Sequence, residues 1–470
     1  MLKNFWRQKN SKTRAIKHTY APDMTQKIQI DVRDSLDAIN AADWNALNTD
    51  GNPFVRYEFL HTLDKCGCLG KNTGWYPRYF LLWSEENAGD NSDDAKDEND
   101  GNNGNNEDNT NAPEPNRELV AAVASYVKTN SYGEFVFDWA WAEAYERNQL
   151  EYYPKLVVSI PFTPATGPRI LVRQDQNYDD TLLLLAQAVR QFALSQKYSS
   201  VHYLFLTERE SNLLSARSPD TSDTTTDTES IHSESEVALQ KPSDHLKRLD
   251  CQYHWHNHDY TSFDDFLDAC TSKRRKTIRR ERRHVSDAGI RLEQRMGSSL
   301  TEQEWHWVHE FYQSTFDRKW GNPSLTEDFF QTVGRIFGEN VLIVFAYDPE
   351  DAKPDKPIAC SIMFIGEHTL YGRFWGCRRT VNSLHFETCY YQGIAYCIEH
   401  GIKHFEPGAQ GEHKITRGFE PQLTRSAHFI AHPGFREAIA NFLIEETPYM
   451  EQRCAGLANL LPFKANTISL

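Results

Sequence analysis

No run in the chain approaches the ~18 consecutive apolar residues that a membrane-crossing helix needs. Met1–Tyr20 is basic but has no apolar core of signal-peptide length. These absences argue against a membrane span and a secretory leader. The expectation is a cytoplasmic protein whose basic tail has at most peripheral contact with a membrane surface. The nine cysteines (66, 68, 251, 270, 360, 377, 389, 397, 454) are odd in number, and none forms a CxxC pair. That argues against a paired disulfide framework and a zinc ribbon, and a reducing compartment is the simplest setting. Cys66 and Cys68 stand close together but lack partner ligands. RNP-type and zinc-finger signatures are missing too, so nothing marks a sequence-specific nucleic-acid reader.

What is present begins with 470 residues, 39% hydrophobic and 12% aromatic, enough for sizeable cores in two or three domains. The formal charge is −15, but it is unevenly spread. Ser84–Glu118 holds 12 acidic and 2 basic residues, and Glu208–His245 holds 9 acidic and 3 basic. Those two segments carry −16 between them, so the remainder is +1 and an anionic ligand is compatible with it. Both segments are too polar to offset chain entropy and read as disordered, the first as an insertion between strands and the second as a linker.

Along the chain, helices and strands alternate, which predicts an α/β class. Residues 1–27 read as a flexible basic tail. Residues 28–245 read as a first domain, with 84–118 and 208–245 disordered. Residues 246–470 read as a second domain. Both halves show the same order: helices, an apolar strand, an interruption, a hairpin ending in Trp, then a helix. Tyr79–Trp83, Leu119–Lys128 and Phe135–Trp139 would correspond to Val341–Tyr347, Pro357–Phe364 and Thr369–Trp375. Two similar domains side by side are expected, with a groove between them or in each.

Three stretches carry chemistry. Phe263–Asp287 reads as one long helix, and its residues 273–283 contain eight basic side chains against one acid. That density on a helix suits phosphate or RNA, with Lys276, Arg279 and Arg280 foremost, though basic runs are also commonly just solvated faces. His254, His256 and His258 would share one face of a strand, but without a carboxylate or cysteine context no metal site is assigned. The third stretch is Leu384–Phe419. A helix with Phe386, Tyr390 and Ile394 at helical spacing leads into a short strand, Lys403–Glu406. A loop follows with glycines at 408, 411 and 418, and Glu406, Gln410, Glu412, His413, Lys414 and Arg417 crowd into twelve residues. Ionisable groups on a loop after a strand mark a binding site.

Several motifs carry a family resemblance. They are Asn52-Pro53-Phe54, the run Tyr132 to Ala142 (YGEFVFDWAWA), Tyr153-Pro154-Lys155-Leu156, Pro161-Phe162-Thr163-Pro164, Gly167-Pro168-Arg169, Lys319-Trp320-Gly321, Leu384-His385-Phe386-Glu387 and Pro407 to Lys414 (PGAQGEHK). Together they resemble the bacterial FemAB-like peptidoglycan biosynthesis/recognition proteins, relatives of the GNAT acyltransferases. The likeness runs from about residue 40 to about residue 463 and skips both acidic segments. It implies two tandem GNAT-like domains, each a mixed central sheet flanked by helices. It also implies transfer of an acyl or aminoacyl group to an amine, with a peptidoglycan precursor as a candidate acceptor. Aminoacyl-tRNA or acyl-CoA would be the donor, with no cofactor certain. The acceptor would be a small or nucleotide-linked amine, with tRNA as a candidate partner.

One departure counts against acetyl-CoA. GNAT enzymes that use it carry a Gln/Arg-x-x-Gly-x-Gly/Ala turn whose backbone N–H groups hold the pyrophosphate. Here the matching stretch, Gly376-Cys377-Arg378-Arg379-Thr380-Val381-Asn382-Ser383, has no such glycines, although Arg378 and Arg379 offer side chains for phosphate.

Aminolysis needs a proton acceptor and oxyanion stabilisation. The candidates are Glu406, Glu412 or His413 as the base, with Lys414 or Arg417 balancing negative charge. His385, Glu387, Arg373, Trp375 and Gln410 would line the same pocket. Asp138, Trp139, Trp141 and Tyr145 would line a groove in the first domain. The competing readings are an acetyl-CoA-dependent N-acetyltransferase and a non-catalytic tandem binding protein.

Overall fold

The computed structural model describes residues 27–85, 117–216, 245–319 and 323–464. The expected basic tail up to residue 26, most of both acidic segments and the Trp320-Gly321 motif lie outside them.

Among the described residues thirteen strands form one mixed sheet. In chain order they are β1 (Lys27–Arg33), β2 (Trp75–Glu85), β3 (Arg117–Lys128), β4 (Lys155–Val158), β5 (Ile170–Val172), β6 (Ser200–Leu206), β7 (Leu246–His256), β8 (Arg291–Met296), β9 (Val341–Tyr347), β10 (Ala359–Ile365), β11 (Thr369–Cys377), β12 (His404–Glu406) and β13 (Glu420–Ile430). The spatial order is β1-β2-β3-β4-β6-β13-β7-β12-β11-β10-β9-β8, with β5 beside β3. Read inward from either edge, the pairing is identical. Three antiparallel pairs come first, then one parallel pair, then an antiparallel closing strand. The parallel pairs are β4·β6 and β11·β12. Each is bridged by a helix, Tyr178–Ser195 in the first case and Leu384–Glu399 in the second, as a parallel connection requires.

The two halves exchange their closing strands. C-terminal β13 completes the first half, β7 completes the second, and β13 pairs with β7 along nine residue pairs. The fold is α/β with two like-ordered half-sheets. The counterpart of β11 is β4, however, and not the expected Phe135–Trp139. Residues 129–138 have no regular structure, because their aromatics face outward and Gly133 and Phe135 both take positive φ.

Local chemistry explains most boundaries. The Asn52 side chain accepts from Phe54 N–H ahead of Pro53, opening the turn before helix Tyr57–Lys65. Thr301 and Glu304 form the expected capping box. The expected linker fails at its start, because Thr207 and Glu210 form a second capping box that opens helix Glu208–Ser215. The expected single helix over Phe263–Asp287 is two, Phe263–Ala269 and Ser272–Asp287, broken at Cys270 and Thr271, which are extended. Helix Glu302–Lys319 lies so close to β11 that a Cβ on Gly376 would meet the Phe311 carbonyl oxygen at 1.9 Å.

The largest core spans both halves. Phe54 packs on Phe364 and Tyr371, and Phe59 on Phe329, with centroids 5.0 to 5.8 Å apart. The halves therefore bury apolar surface against each other, which fixes their relative position. Among the described residues no helix is long and apolar enough to cross a membrane.

Candidate functional site

The second parallel pair is short. β11 and β12 pair only through Thr369–Tyr371 and His404–Glu406. From Gly372 onward β11 keeps a strand partner on one side only, β10. Its register with β10 slips there, making Arg373 a bulge residue. The chain after β12 turns away through Pro407 and Gly408, where φ is +94°. The two strands diverge, and a cavity of about 580 Å³ opens between them.

The cavity floor and flank come from β10, β11, the 407–414 segment and the helix Leu384–Glu399. That helix contains a π turn at Glu387–Tyr391, a distortion common at functional sites. It presents Cys389 and Tyr390 to the cavity. The opposite wall belongs to the first half, where Tyr132, Phe135, Phe137 and Trp139 face in while remaining 37% to 70% exposed. Among the described residues the lining contains neither aspartate nor glutamate, but it does contain Arg373, Lys414, His385 and His413. A lining of this sign favours an anion.

Lys414 is the most unusual of these groups. Its side chain is buried, and its one hydrogen bond among the described residues is donated to Gly408 O, 2.6 Å away. Burial without a carboxylate partner pushes its ammonium down to about 7. His413 stands at the cavity rim, with its Nε2 2.9 Å from the Tyr390 hydroxyl. Burial and the cations Arg417 and Lys414 lower its pKa, so it is neutral near pH 7. His385 packs edge-on against Trp375 and Tyr390. Arg373 donates to Phe162 O and to Thr163 Oγ1, tying the cavity to the Pro161–Pro164 turn of the first half. Gln410 lines the mouth.

Other candidates lie elsewhere. Glu406 points to the seam between the halves, where it accepts from Thr166 N–H at 3.2 Å. Burial raises its carboxyl to about 8, while burial lowers His254, 4.0 Å away, to about 3. Both are neutral at pH 7, so the contact is not an ion pair. Glu412 faces solvent and pairs with Arg453 at 3.0 Å. Arg417 is buried and committed, gripping Glu281 of the basic helix at 2.6 and 3.1 Å and lying over the Phe386 ring. Glu387 is buried against Arg282 and Gln392. These two acids, Glu281 and Glu387, anchor the basic helix to the back of the cavity.

The first-half groove is closed. Lys155, fully buried, donates to Ser131 Oγ at 2.9 Å, to Glu134 Oε2 at 2.8 Å and to Asp138 Oδ2. Burial pushes the Asp138 carboxyl up, but Lys155 outweighs it and holds the group at about 2. Trp141 is buried against His428 and His202, and Tyr145 against Phe435 and Tyr152. Of the four residues expected there only Trp139 meets open space, and it faces the second-half cavity.

The basic helix buries Ile278, Glu281 and Val285. Arg279 pairs with Asp264, and Arg275 with Asp268. Lys276 and Arg280 are exposed and stand with Lys273 and Arg283 at helical spacing on one face. Arg378 and Arg379 are held by Asp351 and Asp348, away from the cavity. On the histidine strand, His256 meets His404 with Nδ1 atoms 3.0 Å apart, and His258 meets Glu420. Among the described residues no group of three or more His, Cys, Asp or Glu is arranged for a metal.

Sequence reasoning does not single out Tyr390, Cys389 or the outward aromatics Tyr132, Phe135 and Phe137. Tyr390 sits in an apolar helical stripe that reads as core. The aromatic density of residues 132–141 is the signal that was available.

The FemAB-like family profile, described as peptidoglycan biosynthesis/recognition, matches residues 35–465. A comparison with curated proteins finds no match. Among solved structures the chain is similar to FemX, at 10% identity over 86% of this chain and 98% of that one, with a TM-score of 0.45. It is similar to L-PGS from Bacillus licheniformis at 10% identity over 74% and 87%, with a TM-score of 0.40. It is also similar to a tandem GNAT protein from the clavulanic acid biosynthesis pathway at 9% identity over 87% and 99%, with a TM-score of 0.39.

Proposed function

The chain belongs to the FemAB-like peptidoglycan biosynthesis/recognition family, and from that premise we propose that it transfers an acyl or aminoacyl group to an amine in the β11/β12 cavity. The observation that carries this reading is Lys414, a buried amine poised near neutrality in an opening with no carboxylate among its described lining residues.

In this mechanism the acceptor amine attacks the donor carbonyl and its nitrogen loses a proton. His413, neutral and oriented by the Tyr390 hydroxyl, accepts that proton and returns it to the departing tRNA ribose oxygen or CoA sulfur as the tetrahedral adduct collapses and the donor's ester or thioester bond breaks. Negative charge develops on the former carbonyl oxygen. Backbone N–H groups of Gly372, Arg373 and Phe374, past the end of the β11–β12 ladder, would meet it, and protonated Lys414 supplies a charge. The aromatic wall excludes water from one side, which strengthens both contacts. Arg373 meets an anionic part of donor or acceptor. The exposed stripe Lys273, Lys276, Arg280 and Arg283 offers a contact for phosphates of a nucleotide-linked acceptor or of tRNA.

Glu406 and Glu412 have no part as the base in this proposal, since neither is among the residues lining the cavity. Nor does the proposal use Arg417, held by Glu281, as the oxyanion partner, or Arg378 and Arg379, held by Asp351 and Asp348, as phosphate ligands.

The test is incubation of the protein with aminoacyl-tRNA or acyl-CoA as donors and a UDP-linked muropeptide as acceptor, followed by mass spectrometry. The expected result is an acceptor-mass increment equal to the donated group, lost in His413→Ala and Lys414→Met. An increment that survives in both variants would refute the assignment. Tight binding of a precursor with no increment for any donor would favour the non-catalytic binding protein.

A further inference from the structure

The cavity's aromatic wall is built from a segment that has no hydrogen-bonded ladder of its own. Residues 129–138 carry three outward aromatic side chains, and Trp139 follows at the start of the next helix. Apolar groups exposed on an irregular segment tend to fold back onto the nearest apolar surface. Something must hold them out over the opening.

Two buried lysines are placed to do this. Lys155 on β4 reaches three side chains of the segment at once, Ser131, Glu134 and Asp138. The Ser131 hydroxyl, which lines the cavity, also meets Tyr153 OH at 2.7 Å. Lys128 at the end of β3 donates to Tyr132 O at 3.1 Å and lies 4.0 Å above the Trp75 ring. Trp75 Nε1 donates to the same carbonyl at 3.2 Å. Farther along, Arg248 donates to Phe137 O at 2.8 Å. Lys155, Lys128, Trp75 and Arg248 all lie outside the cavity lining, whereas the four aromatics they support lie within it. Burying two lysines with two acids is a weak way to gain stability, since apolar packing does as well or better. Such clusters are better explained by the single geometry they impose.

We infer that Lys155 is a positioning residue: with Lys128 it fixes the 129–138 segment so that Tyr132, Phe135, Phe137 and Trp139 form a rigid face for the ring-bearing part of an anionic ligand. This rests on the reading of the cavity as the reactive site. No group of the lysine cluster touches the reacting atoms. Lys155 acts through the wall.

The probe is pyridoxal 5′-phosphate, a planar ring bearing a phosphate and an aldehyde. Its aldehyde condenses with a neutral amine and loses water, and borohydride then reduces the imine to a stable secondary amine that mass spectrometry locates. Formaldehyde with cyanoborohydride labels the same amine without needing a wall. Wild type should take up pyridoxal phosphate at Lys414 ahead of other lysines. Lys155→Met should slow that labelling by about tenfold, the value of an aromatic contact, while leaving Lys414 methylation unchanged. Glu210→Gln, a buried change outside the cavity lining at a side chain that bonds Arg169 and Ile170 N–H, should leave both rates unchanged.

If Lys155→Met does not fold, Ser131→Ala removes only the cavity-side contact and should slow pyridoxal labelling about threefold. Equal pyridoxal labelling in wild type and the folded variant would overturn the positioning role. Loss of both labelling rates together would show simple collapse and overturn it as well. Failure of wild type to label Lys414 with either reagent would instead overturn the cavity reading.

Discussion

Replacing Lys414 by Met should stabilise the protein while abolishing transfer. The folded-state value of about 7 against the ordinary 10.5 means that the native site favours the neutral amine. A group depressed in this way contributes its full stability only above its unfolded pKa. That stability is lost as the pH falls through the interval down to the folded value. The interval spans roughly 3.5 pH units at about 1.4 kcal/mol each, so wild type carries a penalty of up to about 5 kcal/mol at pH 6. The same reasoning leaves about 3 kcal/mol at pH 8 and about 1 kcal/mol at pH 10. Lys414 is 3% exposed, so solvent screening gives little relief. Methionine has similar length and no charge to bury. Against the gain stands the Gly408 carbonyl, which loses its donor at a cost of about 1 kcal/mol. Urea unfolding of wild type and Lys414→Met at pH 6, 8 and 10 should show the variant ahead by about 2–4 kcal/mol at pH 6, with the advantage gone near pH 10. A variant less stable than wild type at pH 6, or a difference that does not change with pH, would refute the account of Lys414 as a strained functional amine.

Transfer should follow a bell in pH. It should rise as His413, lowered from 6.5, loses its proton, and fall above about 7 as Lys414 loses its own. Lys414→Arg should remove the upper limb in a pH–rate profile. Glu281→Ala leaves the Arg417 guanidinium buried and unpaired, so a loss of about 3–5 kcal/mol is expected in chemical denaturation. Gly376→Ala drives a methyl into the Phe311 carbonyl. It should cost about 2–3 kcal/mol, seen as a lower melting temperature, and should distort β11 beside the cavity.

The cavity illustrates how far the sequence alone reaches. The crowded loop after Lys403–Glu406 was legible because a strand, three glycines and six polar side chains fall within a few residues. Its His413, Lys414 and Gln410 do line the opening, and so do His385, Arg373 and Trp375. Glu406 and Glu412 separate from them for reasons invisible in one dimension. Glu406, at the end of its short strand, bonds Thr166 N–H across the seam between the halves, and the 3₁₀ turn Glu412–Arg417 sends Glu412 outward. Arg417 and Glu387 read as site residues because they are charged. Their partners, Glu281 and Arg282, lie more than 100 residues away in sequence, and only folding supplies them.

By itself the sequence determined the α/β class, the strand order and hairpin of the second half, the helix starts at Asn52-Pro53 and at Thr301, and the family. These follow from short-range periodicity, turn chemistry and local motifs, all complete within a few neighbouring residues. The tertiary structure alone decided that β7 and β13 change places between the halves and that the first groove fills with its own ions. It also decided that the first half's aromatics face the second half's amine. Such outcomes depend on which distant groups can bury each other at least cost in desolvation, a property of the packed chain and not of any one stretch of it.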